Sequence, residues 1–151
     1  SAEEVNGRFE PRIKISENPA KVTNPGVKRL YRFYDRLSGK ALADLIALEE
    51  DDFSSGEPLE IFDPENTWKR MTLCDYEVRP LLVPVFEHGE LVYDLPALSE
   101  IAQYARNEMD TFWDEYKRLH SPHRYKVDLS KNLYELKHSM LEERRGKGEK
   151  H

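Results

Sequence analysis

Residues 27–48, VKRLYRFYDRLSGKALADLIAL, hold two alternating runs joined by a polar turn. From Val27 to Tyr34 the pattern is that of a β-strand, with Tyr31 and Phe33 on one face. The turn falls between Asp35 and Lys40, where Gly39 supplies a permissive backbone position. From Ala41 to Leu48 the alternation returns, with Leu42, Ile46 and Leu48 on one side and Asp44 among them. A hairpin is the economical reading; propensity alone would also allow a short helix over 41–48.

The hairpin sets the frame for its neighbours. Downstream, Leu59–Phe62 and Trp68–Leu73 read as two short strands about Asp63-Pro64-Glu65-Asn66, a turn sequence. Leu81–Phe86 and Glu90–Tyr93 form a further hairpin with His88-Gly89 at its tip, and Pro84 places the first of these strands at an edge or bulge. Leu98, Ile101, Ala102, Ala105, Met109, Phe112, Tyr116 and Leu119 then follow helical three and four spacing over about six turns, ending at Ser121-Pro122. Pro96 sits near the first turn, where its missing N–H costs little. After an extended step at Tyr125–Val127, Ser130 can cap a last helix with the stripe Leu133, Leu136, Met140 and Leu141. Upstream, Phe9–Ile15 has a strand rhythm, with Ile13 and Ile15 on one face. The Asn-Pro steps and Pro25-Gly26 of residues 16–26 make a connector. Strands followed by two helices, with no βα alternation, predict an α+β fold with a largely antiparallel sheet.

The chain has 151 residues, enough for one domain. Only 38% are hydrophobic and 34% are charged, against about 45–50% apolar in a typical domain, so the core is expected to be thin. Either a domain with frayed polar ends or a piece of a larger protein, with buried faces completed elsewhere, would look this way. The net charge of −6 is uneven: residues 1–40 carry 9 Lys and Arg against 5 Asp and Glu, residues 41–100 carry 3 against 15, and residues 101–151 carry 11 against 9. An acidic middle weighs against nucleic acid as a partner, because phosphate contacts need a basic stripe. The lone Cys74 offers no disulfide within the chain and suits a reducing cytoplasm. No run approaches the roughly 20 apolar residues of a membrane span, and the start resembles no signal peptide. Because it opens without Met, the expectation is that an upstream region has been removed, with a leftover tag residue as the alternative.

Candidate chemistry is sparse. His120 and His123 are three apart, as metal ligands on a helix can be, but Pro122 interrupts them and no third ligand is evident. Cys74 has no neighbouring His in sequence and reads as a semi-buried thiol rather than a nucleophile. Glu49–Asp52 reads as a solvated loop entrance. Gly-rich phosphate loops are missing. Phe112, Trp113 and Tyr116 widen the helix stripe and are expected to pack against the sheet.

The connector carries more information. Arg12-Ile13-Lys14-Ile15-Ser16-Glu17-Asn18-Pro19-Ala20-Lys21-Val22-Thr23-Asn24-Pro25-Gly26 resembles the segment after the catalytic barrel of nicotinate phosphoribosyltransferases, a pattern of the form K-(I/L)-S-x-x-P-x-K-x-T-x-P-G. The similarity continues through Lys28–Tyr34, Gly39–Leu48, Thr67–Arg70 and Leu81–Pro84, and ends with Leu119–Pro122 and Tyr125–Ser130. The resemblance implies the C-terminal portion of a type II phosphoribosyltransferase, with residues 1–26 a post-barrel strand and connector and 27–143 a C-terminal α+β domain; residues 144–151, outside the resemblance, read from their charge and glycines as a disordered tail. It implies that the full-length enzyme makes nicotinate mononucleotide from nicotinate and phosphoribosyl pyrophosphate, in NAD biosynthesis, using Mg2+ and ATP hydrolysis through a phosphorylated histidine. None of the histidines here matches that position. No catalytic, cofactor or metal residue is therefore expected in this chain, and its partners would be the upstream barrel and a second subunit.

Within the connector, Lys14, Ser16, Pro19, Lys21, Thr23, Pro25 and Gly26 are the candidate residues, as a strap that fixes how the following domain docks. The strap, or Lys28, Arg29 and Arg32, could instead support a neighbouring site; simple packing is the competing role. Two other readings stand beside this one: a free-standing interaction module presenting Trp113 and Tyr116, and a small hydrolase, for which no His and carboxylate geometry is visible.

Overall fold

The computed structural model describes residues 2–5, 7–18, 21–66 and 68–148. Strands β1 (Ala2–Val5) and β2 (Arg8–Pro11) form a separate antiparallel pair that turns through Gly7 at φ +73°. The strand expected over Phe9–Ile15 is thus shorter and displaced, ending where Pro11 has no N–H to extend a ladder. Strands β3 (Lys28–Asp35) and β4 (Ala41–Leu48) make the expected hairpin, with a bulge at Phe33/Tyr34. Asp35 closes its turn by accepting hydrogen bonds from the Ser38 N–H and hydroxyl, both 2.6 Å. The helical alternative for 41–48 is excluded, because β4 is buried on both faces between two neighbouring strands.

Strands β5 (Leu59–Phe62) and β6 (Arg70–Leu73) pair as expected. Strand β7 (Tyr76–Pro80) has no counterpart in the sequence reading, yet it pairs along β3 from Tyr31↔Pro80 to Asp35↔Tyr76. The expected hairpin over residues 81–93 shrinks to β8 (Phe86–Glu87) and β9 (Glu90–Leu91), turned by His88 and Gly89, both at positive φ. Pro84 keeps the preceding residues out of the ladder.

The single long helix predicted over 98–119 is divided. Helix α1 (Leu98–Thr111) is followed by Phe112 and Trp113 in extended conformation, then by the one-turn α2 (Asp114–Lys117). The break lets Phe112 pack edge-on to Tyr125 at 4.8 Å and lie 4.9 Å from the Arg32 guanidinium. Tertiary packing thus overrides a periodic pattern.

The extended step becomes β10 (Val127–Leu129), which inserts between β4 and β5, parallel to the first and antiparallel to the second. The main sheet is therefore mixed, in the order β6-β5-β10-β4-β3-β7. Helix α3 (Lys131–Gly148) begins with the Leu133 N–H donating to the Ser130 hydroxyl at 3.3 Å. It continues to Gly148, past Arg144, where a disordered tail is expected.

One sheet face buries Phe33, Ala43, Leu45, Ala47, Ile61 and Leu73 beneath Phe53 and Tyr76. The alanines of β4 leave room for rings to meet edge-on, Phe33 lying 5.5 Å from Phe53 and 5.0 Å from Tyr76. Fully burying side chains such as Phe33 and Leu45 contributes about 1.5–3 kcal/mol each. The opposite face packs Leu48 and Leu129 against Leu133 of α3, while α1 lies over the other end of that face, above Arg32 and Asp44.

Candidate functional site

The connector closes on itself before entering the sheet. The Lys14 N–H donates to the Thr23 hydroxyl at 2.9 Å, and the Thr23 N–H returns to the Lys14 carbonyl at 3.3 Å. Between them, the Ser16 hydroxyl accepts from the Asn18 N–H, and the Lys21 N–H donates to the Asn18 carbonyl. Pro25 and Gly26 are buried. Gly26 adopts φ +81°, and a Cβ there would lie 2.6 Å from Leu48 Cδ2, so conformation and space both require glycine. Lys28 Nζ donates to the carbonyls of Asn24 and Gly26, and buried Lys137 donates from α3 to Asn24 Oδ1 at 3.0 Å. Burial holds the Lys137 ammonium below its ordinary pKa. The Lys14 and Lys21 side chains are exposed, and Pro19 lies outside the described residues. A pocket of about 320 Å³ separates strap from helix, lined by Ile15, Val22, Leu129, Tyr134 and Leu141 together with Lys137.

A second cluster gathers around the candidate Arg32, with partners that no spacing in the sequence connects to it. Arg32 grips Asp44 with two hydrogen bonds, Nε to Oδ1 at 2.7 Å and Nη2 to Oδ2 at 2.9 Å, and Tyr125 adds its hydroxyl at 3.1 Å. From α1, Glu108 accepts from Arg32 Nη1 and from the Tyr34 hydroxyl, each at 3.0 Å, with Arg79 at 3.9 Å. Asp44 holds the Arg32 guanidinium protonated far above its ordinary range; burial, with Asp44 beside it, pushes the Tyr125 phenol up. Burial and Glu108 do the same to Tyr34. Each guanidinium nitrogen of Arg32 donates to a carboxylate of the sheet or of α1, so the cluster clamps α1 to the sheet.

The other basic candidates are committed too. Arg29 pairs with Glu49, and Lys28 holds the strap carbonyls. The acidic run is more than a solvated entrance: Asp51 accepts from the Leu48 N–H, the Ser130 hydroxyl and the Asn132 amide, tying β4 to the start of α3. Buried Asp128 has Lys126 Nζ 3.0 Å from Oδ2, and burial raises its carboxyl pKa against that partner's pull. Cys74 is exposed rather than semi-buried. Tyr116 packs on Tyr125 and His123, leaving Trp113 as the exposed member of the pair expected at a partner surface. Among the described residues no three His, Cys, Asp or Glu side chains converge as metal ligands do.

The comparisons with known proteins agree on one assignment. Residues 27–137 match the family described as nicotinate phosphoribosyltransferase C-terminal domain. This chain belongs to that family. It is 34% identical over 140 residues to the nicotinate phosphoribosyltransferase of Bacillus subtilis, covering 93% of this chain and 29% of that protein. The mouse nicotinate phosphoribosyltransferase is 36% identical over 132 residues, covering 87% of this chain and 24% of that protein. The crystal structure of human nicotinic acid phosphoribosyltransferase superposes with a TM-score of 0.71 at 29% identity, over 79% of this chain and 24% of that one. The nicotinate phosphoribosyltransferase C-terminal domain thus accounts for the α+β architecture, and this chain spans under a third of its relatives' length.

Proposed function

We propose that this domain is the structural C-terminal part of an enzyme that transfers phosphoribosyl from phosphoribosyl pyrophosphate to nicotinate with ATP hydrolysis, and that it contributes no reacting group. The observation that carries this reading is the commitment of its polar side chains to the fold: Arg32, Asp44, Glu108, Asp51 and Lys28 all hold one element to another. The side chains present do not suit Mg2+ or ATP, because no convergent carboxylates and no Gly-rich anion loop lie among the described residues. Those groups belong with the upstream barrel, and a second subunit completes the enzyme. A cytoplasmic location fits the exposed, unpaired Cys74.

The test is to delete residues 27–143 from the full-length protein. Loss of soluble, cooperatively folded enzyme is the expected result. A deletion protein that folds and turns over normally would reject a structural role. The strap supports the same reading, with simple packing as its role: Thr23→Val, which removes the hydroxyl that accepts from the Lys14 N–H, should lower stability more than it raises the KM for substrate, and the reverse would place the strap at an active site.

A further inference from the structure

Helix α1 is amphipathic, yet the contacts that hold it to its own sheet lie near its C-terminal end, at Glu108 and Asp110. It turns Glu108 inward to Arg32 and Tyr34, while Leu98, Ile101 and Met109 remain 81%, 48% and 51% exposed and none of its residues is buried. The β8–β9 arm beside it presents Phe86 and Leu91 to solvent in the same way. Arm and helix together enclose an apolar groove of about 690 Å³, lined by Leu81, Val83, Tyr93, Leu95, Ile101 and Tyr104. Contiguous apolar surface of this kind marks an interface.

Charge selects the occupant. Residues 81–104 carry Glu87, Glu90, Asp94 and Glu100 and no Lys or Arg, and Asp94 and Glu100 stand at the groove itself. Two copies meeting through this surface would bring those carboxylates together, which is unfavourable. We infer that the α1 and β8–β9 surface is the seat of the upstream portion of the same polypeptide, which presents apolar side chains edged by Lys and Arg. This rests on the reading of the chain as a C-terminal domain, because the relatives' remaining length supplies the covering surface. The clamp at Glu108 then has a purpose: it anchors the C-terminal end of α1 to its own sheet and leaves Leu98 and Ile101, nearer the N-terminal end, to dock.

Hydroxyl-radical footprinting of the full-length protein tests the inference. Oxidation of Tyr104 and Met109, normalised to each residue type's intrinsic reactivity, should be roughly tenfold slower than that of Trp68, as expected for side chains in a water-excluding interface. Ile101→Glu should restore their oxidation while leaving Trp68 unchanged. Equal rates at Tyr104, Met109 and Trp68 would overturn the inference. Protection that disappears on dilution to a monomer would overturn it in favour of a second copy. Footprinting reads contact regardless of turnover, so a failed surface is distinguishable from a failed enzyme assignment, which a separate assay of nicotinate mononucleotide formation by the same full-length protein reports.

Discussion

Asp44→Ala is the sharpest probe of the clamp. The substitution removes two charge-assisted hydrogen bonds from Arg32 and one from Tyr125, and leaves the guanidinium with Glu108 as its remaining carboxylate. Breaking a buried pair by removing one partner costs about 3–5 kcal/mol. The Arg32 and Asp44 side chains keep 15% and 12% exposure, so some water reaches the orphaned charge and the low end, about 3 kcal/mol, is expected. For a chain of this size that corresponds to a melting point lower by about 6–12 °C. The double variant Arg32→Met with Asp44→Leu should cost about half as much, because no guanidinium is stranded and Glu108, which loses Arg32, keeps the Tyr34 hydroxyl and Arg79. Urea unfolding followed by tryptophan fluorescence measures both. A single variant costing under about 1 kcal/mol, or a double variant costing more than the single, would refute the clamp reasoning.

Gly26→Ala should destabilise by about 2–4 kcal/mol, combining left-handed backbone strain with the contact to Leu48, whereas Gly39→Ala, with open space around it, should cost about 1 kcal/mol; urea midpoints separate them. Ser130→Ala loses both a helix cap and a bond to Asp51 and should cost about 1–2 kcal/mol by the same assay. Asp128 gives a pH signature. Its carboxyl pKa is raised by burial, so it favours the folded state fully below the ordinary value of 3.8, and that contribution is lost as pH rises through the folded pKa. Asp128→Asn should therefore gain up to about 1 kcal/mol relative to the parent at pH 7 and lose that advantage in acid, measured by thermal melts across pH; a constant difference would discount the burial argument.

The β3–β4 hairpin was legible because its alternation and Gly39 turn are local, and the Ser130 cap because it is a matter of spacing. Strand β7 escaped because Tyr76 and Val78 alone face inward, too short a pattern to stand out beside the longer runs. The parallel seat of β10 escaped for a different reason: three residues acquire strand character from neighbours some 80 positions away. Periodicity found an amphipathic helix at 98–119 but showed neither its break at Phe112 nor that Leu98, Ile101 and Met109 stay exposed while Glu108 turns to Arg32. The Arg32 cluster draws on Arg32, Asp44, Glu108 and Tyr125, four residues that no spacing rule connects. The connector motif, by contrast, was read by resemblance, and its physical content appeared only with the left-handed Gly26 lodged against Leu48.

If this domain shapes the proposed phosphoribosyl-transferring enzyme without reacting itself, the chain alone should be inert. Incubating the 151-residue chain with labelled nicotinate, phosphoribosyl pyrophosphate, Mg2+ and ATP, beside the full-length protein, measures it directly. Nicotinate mononucleotide should form with the full-length protein and not with the chain; product formed by the chain alone would mean that the domain carries a reacting group.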